Sequence, residues 1–215
     1  MSQRASGHGD SVRLPEASAS GRPRTVRKRI VARNAYVEVQ LNDVLWPDGG
    51  AGTHVRLVEP RGGAVALTVD RQSRVLLQRA YKYGVDREIW EAPRGYLEAG
   101  EAPDAAATRE LLEETGVVVR AVPLLLGYVA PNTTVSASIV PIYLIAGPVE
   151  EGLPTDLREA AVERRWFDRA ELASLLAAGD LIDGFTLAAL ALWWSKTAVS
   201  PGRGRRRRGS ESDLR

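Results

Sequence analysis

No cysteine occurs in the 215-residue, 23.3 kDa chain. A disulfide framework, a thiolate metal site and a cysteine nucleophile are therefore excluded. Histidine is nearly as scarce. His8 and His54 are the two present and stand far apart, which argues against a histidine-rich zinc centre. Long hydrophobic runs are missing too. Stretches such as Phe185–Trp194 fall well short of the roughly 20 residues a bilayer span requires. The first residues lack the apolar core of a secretory signal. A cytoplasmic protein without membrane association is the expectation. The 44% apolar and 26% charged content is that of an ordinary globule. The length suits one domain that buries about 70% of its extended surface on folding.

The net charge of +2 hides an asymmetry. Residues 1–30 hold seven basic and two acidic side chains, and residues 202–215 hold six Arg against Glu211 and Asp213, which leaves the span 31–201 at −7. An acidic body argues against a duplex-binding fold and suits a site that gathers divalent cations. Residues 1–27 read as a disordered basic tail and 199–215 as a disordered Arg-rich tail. The run Arg205–Arg208 is either a weak nucleic-acid or anion-binding arm or a solubilising tail.

Between the tails, residues 28–58 read as an N-terminal β segment and 59–198 as the main domain. Lys28–Leu41 supplies one or two strands, with a turn expected at Asn42-Asp43 and a stronger one at Trp46–Gly50. His54–Val58, Ala64–Val69, Val75–Gln78 and Glu88–Glu91 read as strands, the second and third joined as a hairpin around Asp70–Arg74. Gly95–Glu101 is expected to be an irregular loop. A helix runs from Pro103 to Thr115 and is ended by Gly116. Val117–Tyr128, Ser136–Ala146 and Val162–Phe167 follow as strands, then helices over 169–178 and 184–196. Strands, one helix, strands and then helices make an α+β fold with a mixed or antiparallel sheet.

The helix carries too many acids for its position. Glu110 and Glu114 are four residues apart and share a face, and Glu113 is three from Glu110. All three sit near the C-terminus, where the helix dipole disfavours anions. Such a set is either a solvated acidic face or one held by counter-charge, for which Mg²⁺ is the natural hard, oxygen-seeking ion. The preceding loop, bounded by Gly95 and Gly100, can add a backbone carbonyl and Glu98 or Glu101 to a metal nest, and Arg109 can tie Glu101 or Glu113.

Gly95, Glu101, Arg109-Glu110-Leu111, Glu113-Glu114 and Gly116-Val117, at these spacings, resemble the complete signature of the Nudix hydrolases. The resemblance implies an α/β/α sandwich with a mixed sheet. It also implies hydrolysis of a nucleoside diphosphate linked to another moiety. Glu110, Glu113 and Glu114 would be metal ligands, Glu113, Glu114 and Arg109 would belong to the catalytic set, and Gly95, Gly100 and Gly116 would shape the backbone. Two or three Mg²⁺ ions, or Mn²⁺ in their place, are implied.

Val44–Gly49, Tyr81–Tyr83, Arg87-Glu88 and Trp90–Gly95 are similar to the ADP-ribose pyrophosphatase branch, and Pro131 lies near that branch's marker proline. Three features depart from it: Lys82 where the branch commonly has Arg, Arg94 where it has a small residue, and Asn132–Ser136 after the proline. The resemblance implies cleavage of ADP-ribose to AMP and ribose 5-phosphate. Another nucleotide sugar, a dinucleotide polyphosphate, a nucleoside triphosphate and a catalytically silent nucleotide-sensing module are the alternatives. Lys82, Arg87 or Arg94 would hold the terminal phosphate or ribose, unless they form surface salt bridges. Tyr36, Trp46 or Trp90 would stack on the base, unless Trp90 belongs to the core. Glu159 is the first candidate for a late catalytic acid, with Glu150, Glu151 and Asp156 behind it. The branch also implies a homodimer through residues 28–58. Of the adjacent Trp193 and Trp194, one is expected to face a partner or a sheet edge.

Overall fold

The computed structural model describes residues 21–154 and 163–198. The chain begins with a three-stranded antiparallel sheet of β1 (Arg24–Arg33), β2 (Glu38–Leu45) and β3 (Ala51–Val58). β1 starts at Arg24, four residues earlier than expected. The turn between the first two strands is made by Asn34, whose Oδ1 accepts from the backbone N–H groups of Tyr36 and Val37 at 2.8 Å. Asn42 and Asp43, expected as a turn, instead lie inside β2. There Asn42 is buried and Asp43 accepts from Arg29 and Thr53 across the sheet. The Trp46–Gly50 turn forms as expected, closed by Trp46 N–H donating to Gly50 O at 2.7 Å.

The main body is a mixed sheet. Its strands are β4 (Gly63–Val69), β5 (Val75–Lys82), β6 (Arg87–Glu91), β7 (Arg94–Tyr96), β9 (Leu124–Val129), β10 (Val140–Ala146) and β12 (Glu163–Phe167). A small separate pair joins β8 (Val117–Val119) to β11 (Val149–Glu151). The order is β12-β5-β4-β10-β9, with β4 and β10 parallel. β4 and β5 leave the Asp70–Arg74 turn paired only at Val69 and Val75 and then diverge. The chain from Arg87 to Tyr96 fills the gap, with β6 on β5 and β7 on β4. Pro93 sits at the crossing. It has no N–H to give a ladder, but its carbonyl accepts from Ala66 N–H at 2.9 Å. Gly95 and Tyr96 are therefore strand residues, contrary to the loop expected there. The expected strand 117–128 is likewise two, broken at Pro123, and Ser136–Ile139 precedes β10 rather than belonging to it.

Alternation along β4 divides the core. Val65, Leu67 and Val69 face α2 (Arg169–Ala178) and α3 (Gly184–Ala198) and join Phe167, Leu172 and Leu190. Ala64 and Ala66 face α1 (Pro103–Thr115), where Ala106 and Ala107 meet them. Small residues on both sides let α1 lie close to the sheet. The result is the expected α+β sandwich with helices on both faces. Trp90 belongs to the core, edge-on to Phe167 with ring centroids 4.9 Å apart. Trp193 and Trp194 are both half-buried and pack against the same core cluster. The wide apolar stripe of α3 accommodates both, and Arg169 of α2 lies 5.3 Å from the Trp194 ring. Among the described residues no helix is long and apolar enough to cross a membrane.

Gly116 closes α1 in the left-handed region at φ 70°, with its N–H donating to Leu112 O at 2.7 Å. A Cβ there would also overlap the backbone of Gly152 and Leu153. Gly116→Ala is expected to cost about 1–3 kcal/mol from backbone strain alone, with the overlap adding to it. Urea unfolding of the two proteins measures the difference, and an unchanged midpoint would contradict this account of the helix end.

Candidate active site

The last two turns of α1 supply the acids. Glu110 and Glu114 lie on the buried face of the helix and Glu113 is half-exposed. Glu110 rests directly on Gly95 of β7: a Cβ at that position would overlap its carboxylate. The first glycine of the signature is thus a close approach of side chain to backbone. One turn on, Glu114 accepts from Gln78 Nε2 at 2.8 Å and from the Arg94 backbone N–H at 3.1 Å. Burial, followed by the neighbouring charges of Glu91 and Glu110, pushes its carboxyl up to about 8. Glu91, at the end of β6, is wholly buried. Lys82 forms an ion pair with it, and Arg94 Nη2 stands 3.5 Å away. Glu91 and Gln78 both went unnoticed as site residues in the sequence. Gln78 shares the α1-facing side of β5 with Leu76, and Glu91 stands opposite it in the β5–β6 register.

Arg109 supplies the counter-charge. Its guanidinium donates to both oxygens of Glu101 at 2.9 Å, to Glu110 at 2.8 Å, to Glu113 at 2.7 Å and to the Tyr96 carbonyl at 2.8 Å. Glu101 is held below the usual carboxylate range by this pairing, and Arg109 correspondingly far above its own. Glu101 also accepts from Glu98 N–H at 2.9 Å, closing the loop that turns at Gly100. Glu101 is therefore engaged in shaping the loop, and the Glu98 side chain is exposed on its outside. Glu101 shares the Arg109 guanidinium with Glu110 and Glu113.

Among the described residues no three carboxylate or histidine side chains form a ready-made cage. The donor set nevertheless fits a hard divalent cation. Glu91, Glu110 and Glu114 crowd closely enough that the charges of two help to hold a proton on the third, and Glu91 Oε2 is buried with no hydrogen-bond donor. Mg²⁺ characteristically takes one or two carboxylates and completes its shell with water and substrate phosphate.

A cleft of about 260 Å³ opens beside Gly95, between the N-terminal sheet and the main sheet. Val37, Leu57, Glu59, Tyr96, Pro131 and Phe185 are among its walls. Tyr36 stands at this end of the molecule with its ring centroid 5.4 Å from Tyr96 and the Arg61 guanidinium 5.5 Å away. Trp46 lies in the far turn of the β2–β3 hairpin and does not reach the cleft. Arg94 lines both this cleft and a second one shared with Lys82 and Asp183, and its guanidinium lies 4.6 Å from the Phe185 ring. Arg87, opposite Lys82 in the β5–β6 register, is exposed and lines neither cleft. Glu159 and Asp156 lie outside the described residues. Glu150 pairs with Arg120, while Glu151 accepts from Trp166 Nε1 at 3.1 Å.

Residues 59–187 match the NUDIX domain family, and the chain belongs to that family. It is 33% identical over 159 residues to the CMP-5'-(N-acetyl-N-hydroxy-3-aminopropyl)phosphonate hydrolase of Streptomyces rubellomurinus, covering 74% of this chain and 76% of that one. It is 29% identical to the ADP-ribose pyrophosphatase of Mycobacterium tuberculosis, over 76% of this chain and 79% of the relative. The fold is that of a crystal structure described as an ADP compounds hydrolase, with a TM-score of 0.70, 22% identity, and coverage of 85% of this chain and 99% of that one. The chain is a Nudix hydrolase, and its general activity is pyrophosphate hydrolysis of a nucleotide or nucleotide-sugar substrate.

Two outcomes follow from this geometry. Gly95→Ala displaces the Glu110 carboxylate and is expected to lower kcat by about a hundredfold with little change in Tm; steady-state rates and a melting curve decide it. Glu114, raised from 4.5 to about 8, keeps its proton in the native state where the unfolded chain has lost it. Stability of the chelated protein is therefore expected to fall as pH rises from 4.5 to 8. Glu114→Gln is expected to flatten that fall, read as Tm against pH.

Proposed function

We propose that the protein hydrolyses the pyrophosphate bond of a nucleoside diphosphate linked to a sugar, with ADP-ribose cleaved to AMP and ribose 5-phosphate. The observation that carries this reading is the mainly apolar cleft ending at the Gly95–Glu110 contact, which suits a base and ribose at one end and a diphosphate at the acids. Glu110, Glu113 and Glu114 would hold two or three Mg²⁺ ions, which when bound neutralise phosphate charge and acidify an attacking water. Arg109 holds Glu110 and Glu113 in place. Lys82 and Arg94, kept at the buried Glu91, offer cationic groups to the phosphate or ribose arm. Glu159 is the proposed late acid that accepts the water's proton.

The Asn132–Ser136 segment, Arg94, and the CMP-phosphonate named for the Streptomyces relative favour a second reading within the same chemistry, in which a different nucleotide arm is cleaved. We also propose a homodimer through residues 28–58, since β1 leaves Ile30 and Val31 exposed. Sedimentation at micromolar concentration would read twice the chain mass. Incubation of the purified protein with ADP-ribose and Mg²⁺ is expected to yield AMP and ribose 5-phosphate, with turnover abolished by a chelator. Glu113→Gln is expected to lower kcat at least about tenfold without lowering Tm. Turnover of a dinucleotide polyphosphate or nucleoside triphosphate with none of ADP-ribose would overturn the substrate assignment.

A further inference from the structure

The cleft beside Gly95 is largely apolar, and among the described residues lining it Glu59 and Arg94 alone are charged. Glu59 follows directly on β3 and is half-buried. Its Oε1 accepts from the Tyr96 hydroxyl at 3.1 Å, and its Oε2 accepts from the Ser138 hydroxyl. The carboxylate is thus fixed from two sides, by β7 and by the segment leading into β10. Each oxygen retains a further lone-pair direction. A carboxylate only accepts hydrogen bonds, so it is matched by a donor on the ligand and repels a carbonyl oxygen. Nucleobases divide on this point. Adenine and cytosine present an exocyclic amine where hypoxanthine and uracil present a carbonyl.

On the reading that this cleft receives the nucleoside of the substrate, we propose that Glu59 is the specificity-determining residue for the base. It accepts a hydrogen bond from the exocyclic amine of an adenine or cytosine nucleotide and rejects the corresponding oxo bases. An oxo base would set its carbonyl lone pairs against the carboxylate and leave that acceptor unmatched, which is how a site built around one hydrogen bond discriminates strongly. Tyr96 and Ser138 act through Glu59 by holding its orientation. Because Tyr96 follows Gly95, the residue on which Glu110 rests, the base reader and the acids share one short strand.

Titration calorimetry of the unaltered protein with AMP and IMP, and with CMP and UMP, tests this without requiring turnover. Each amino nucleotide is expected to bind at least about tenfold more tightly than its oxo counterpart. Equal affinity within both pairs, or no binding of any of the four, would overturn the proposal. In the second arm, Glu59→Gln replaces an acceptor by a group that also donates. With ADP-ribose its KM is expected to rise while kcat stays within about twofold. The ratio of kcat/KM for ADP-ribose over IDP-ribose is expected to fall by about tenfold. An unchanged ratio in a folded variant overturns the role of Glu59 and leaves the hydrolase reading standing. Failure of ADP-ribose turnover with the AMP over IMP preference intact strikes the substrate assignment instead.

Discussion

Five hydrogen bonds from one guanidinium hold this site together. Glu101, Glu110, Glu113 and the Tyr96 carbonyl all accept from Arg109. Acids crowded into the last turns of a helix oppose its dipole and one another. A fixed planar cation with several donors offsets that repulsion and gives each carboxylate a direction. The same contacts draw the loop 97–101 and the strand β7 onto the helix. The counter-charge therefore shapes the backbone as well as the electrostatics.

Glu114 is the acid that Arg109 does not reach. It is buried on the sheet side, with a side-chain amide and a backbone N–H as donors and two carboxylates nearby. A divalent cation would supply the missing positive charge. The site is thus divided into a half neutralised by the protein and a half whose charge is left for metal and substrate, which suits an enzyme that must release its anionic products.

The divergence of β4 and β5 makes this division reachable. Filling the gap with β6 and β7 puts Glu91, Arg94 and Gly95 at the centre of the sheet beneath α1, although they reach it from a separate strand segment. Helix α3 is tied to the same place. Thr186 Oγ1 accepts from Ala92 N–H at 2.8 Å and itself donates to Asp183 at 2.7 Å, and Asp183 faces Arg94 at 3.9 Å. Both helical layers therefore bear on one five-residue stretch, Glu91 to Gly95.

Much of the candidate site was legible because it is local. Helix spacing alone places Glu110 and Glu114 on one face, Gly116 announces the helix end, and the alternation of β4 sorts its side chains between two layers. These follow from backbone periodicity and from the conformational freedom of glycine, and they need no distant partner. The roles of Glu91, Gln78 and Glu59 depend on which strands lie side by side. So does the fate of Arg94, where a surface cation and the partner of a buried acid look alike in sequence. The turn moved from Asn42-Asp43 to Asn34 for the same reason, since either asparagine can close a turn and the pairing register chooses between them. Local chemistry determined the acids and the helix that carries them. Long-range strand pairing decided what surrounds those acids, because burial and neighbouring charge are properties of packed elements and not of a single stretch of chain.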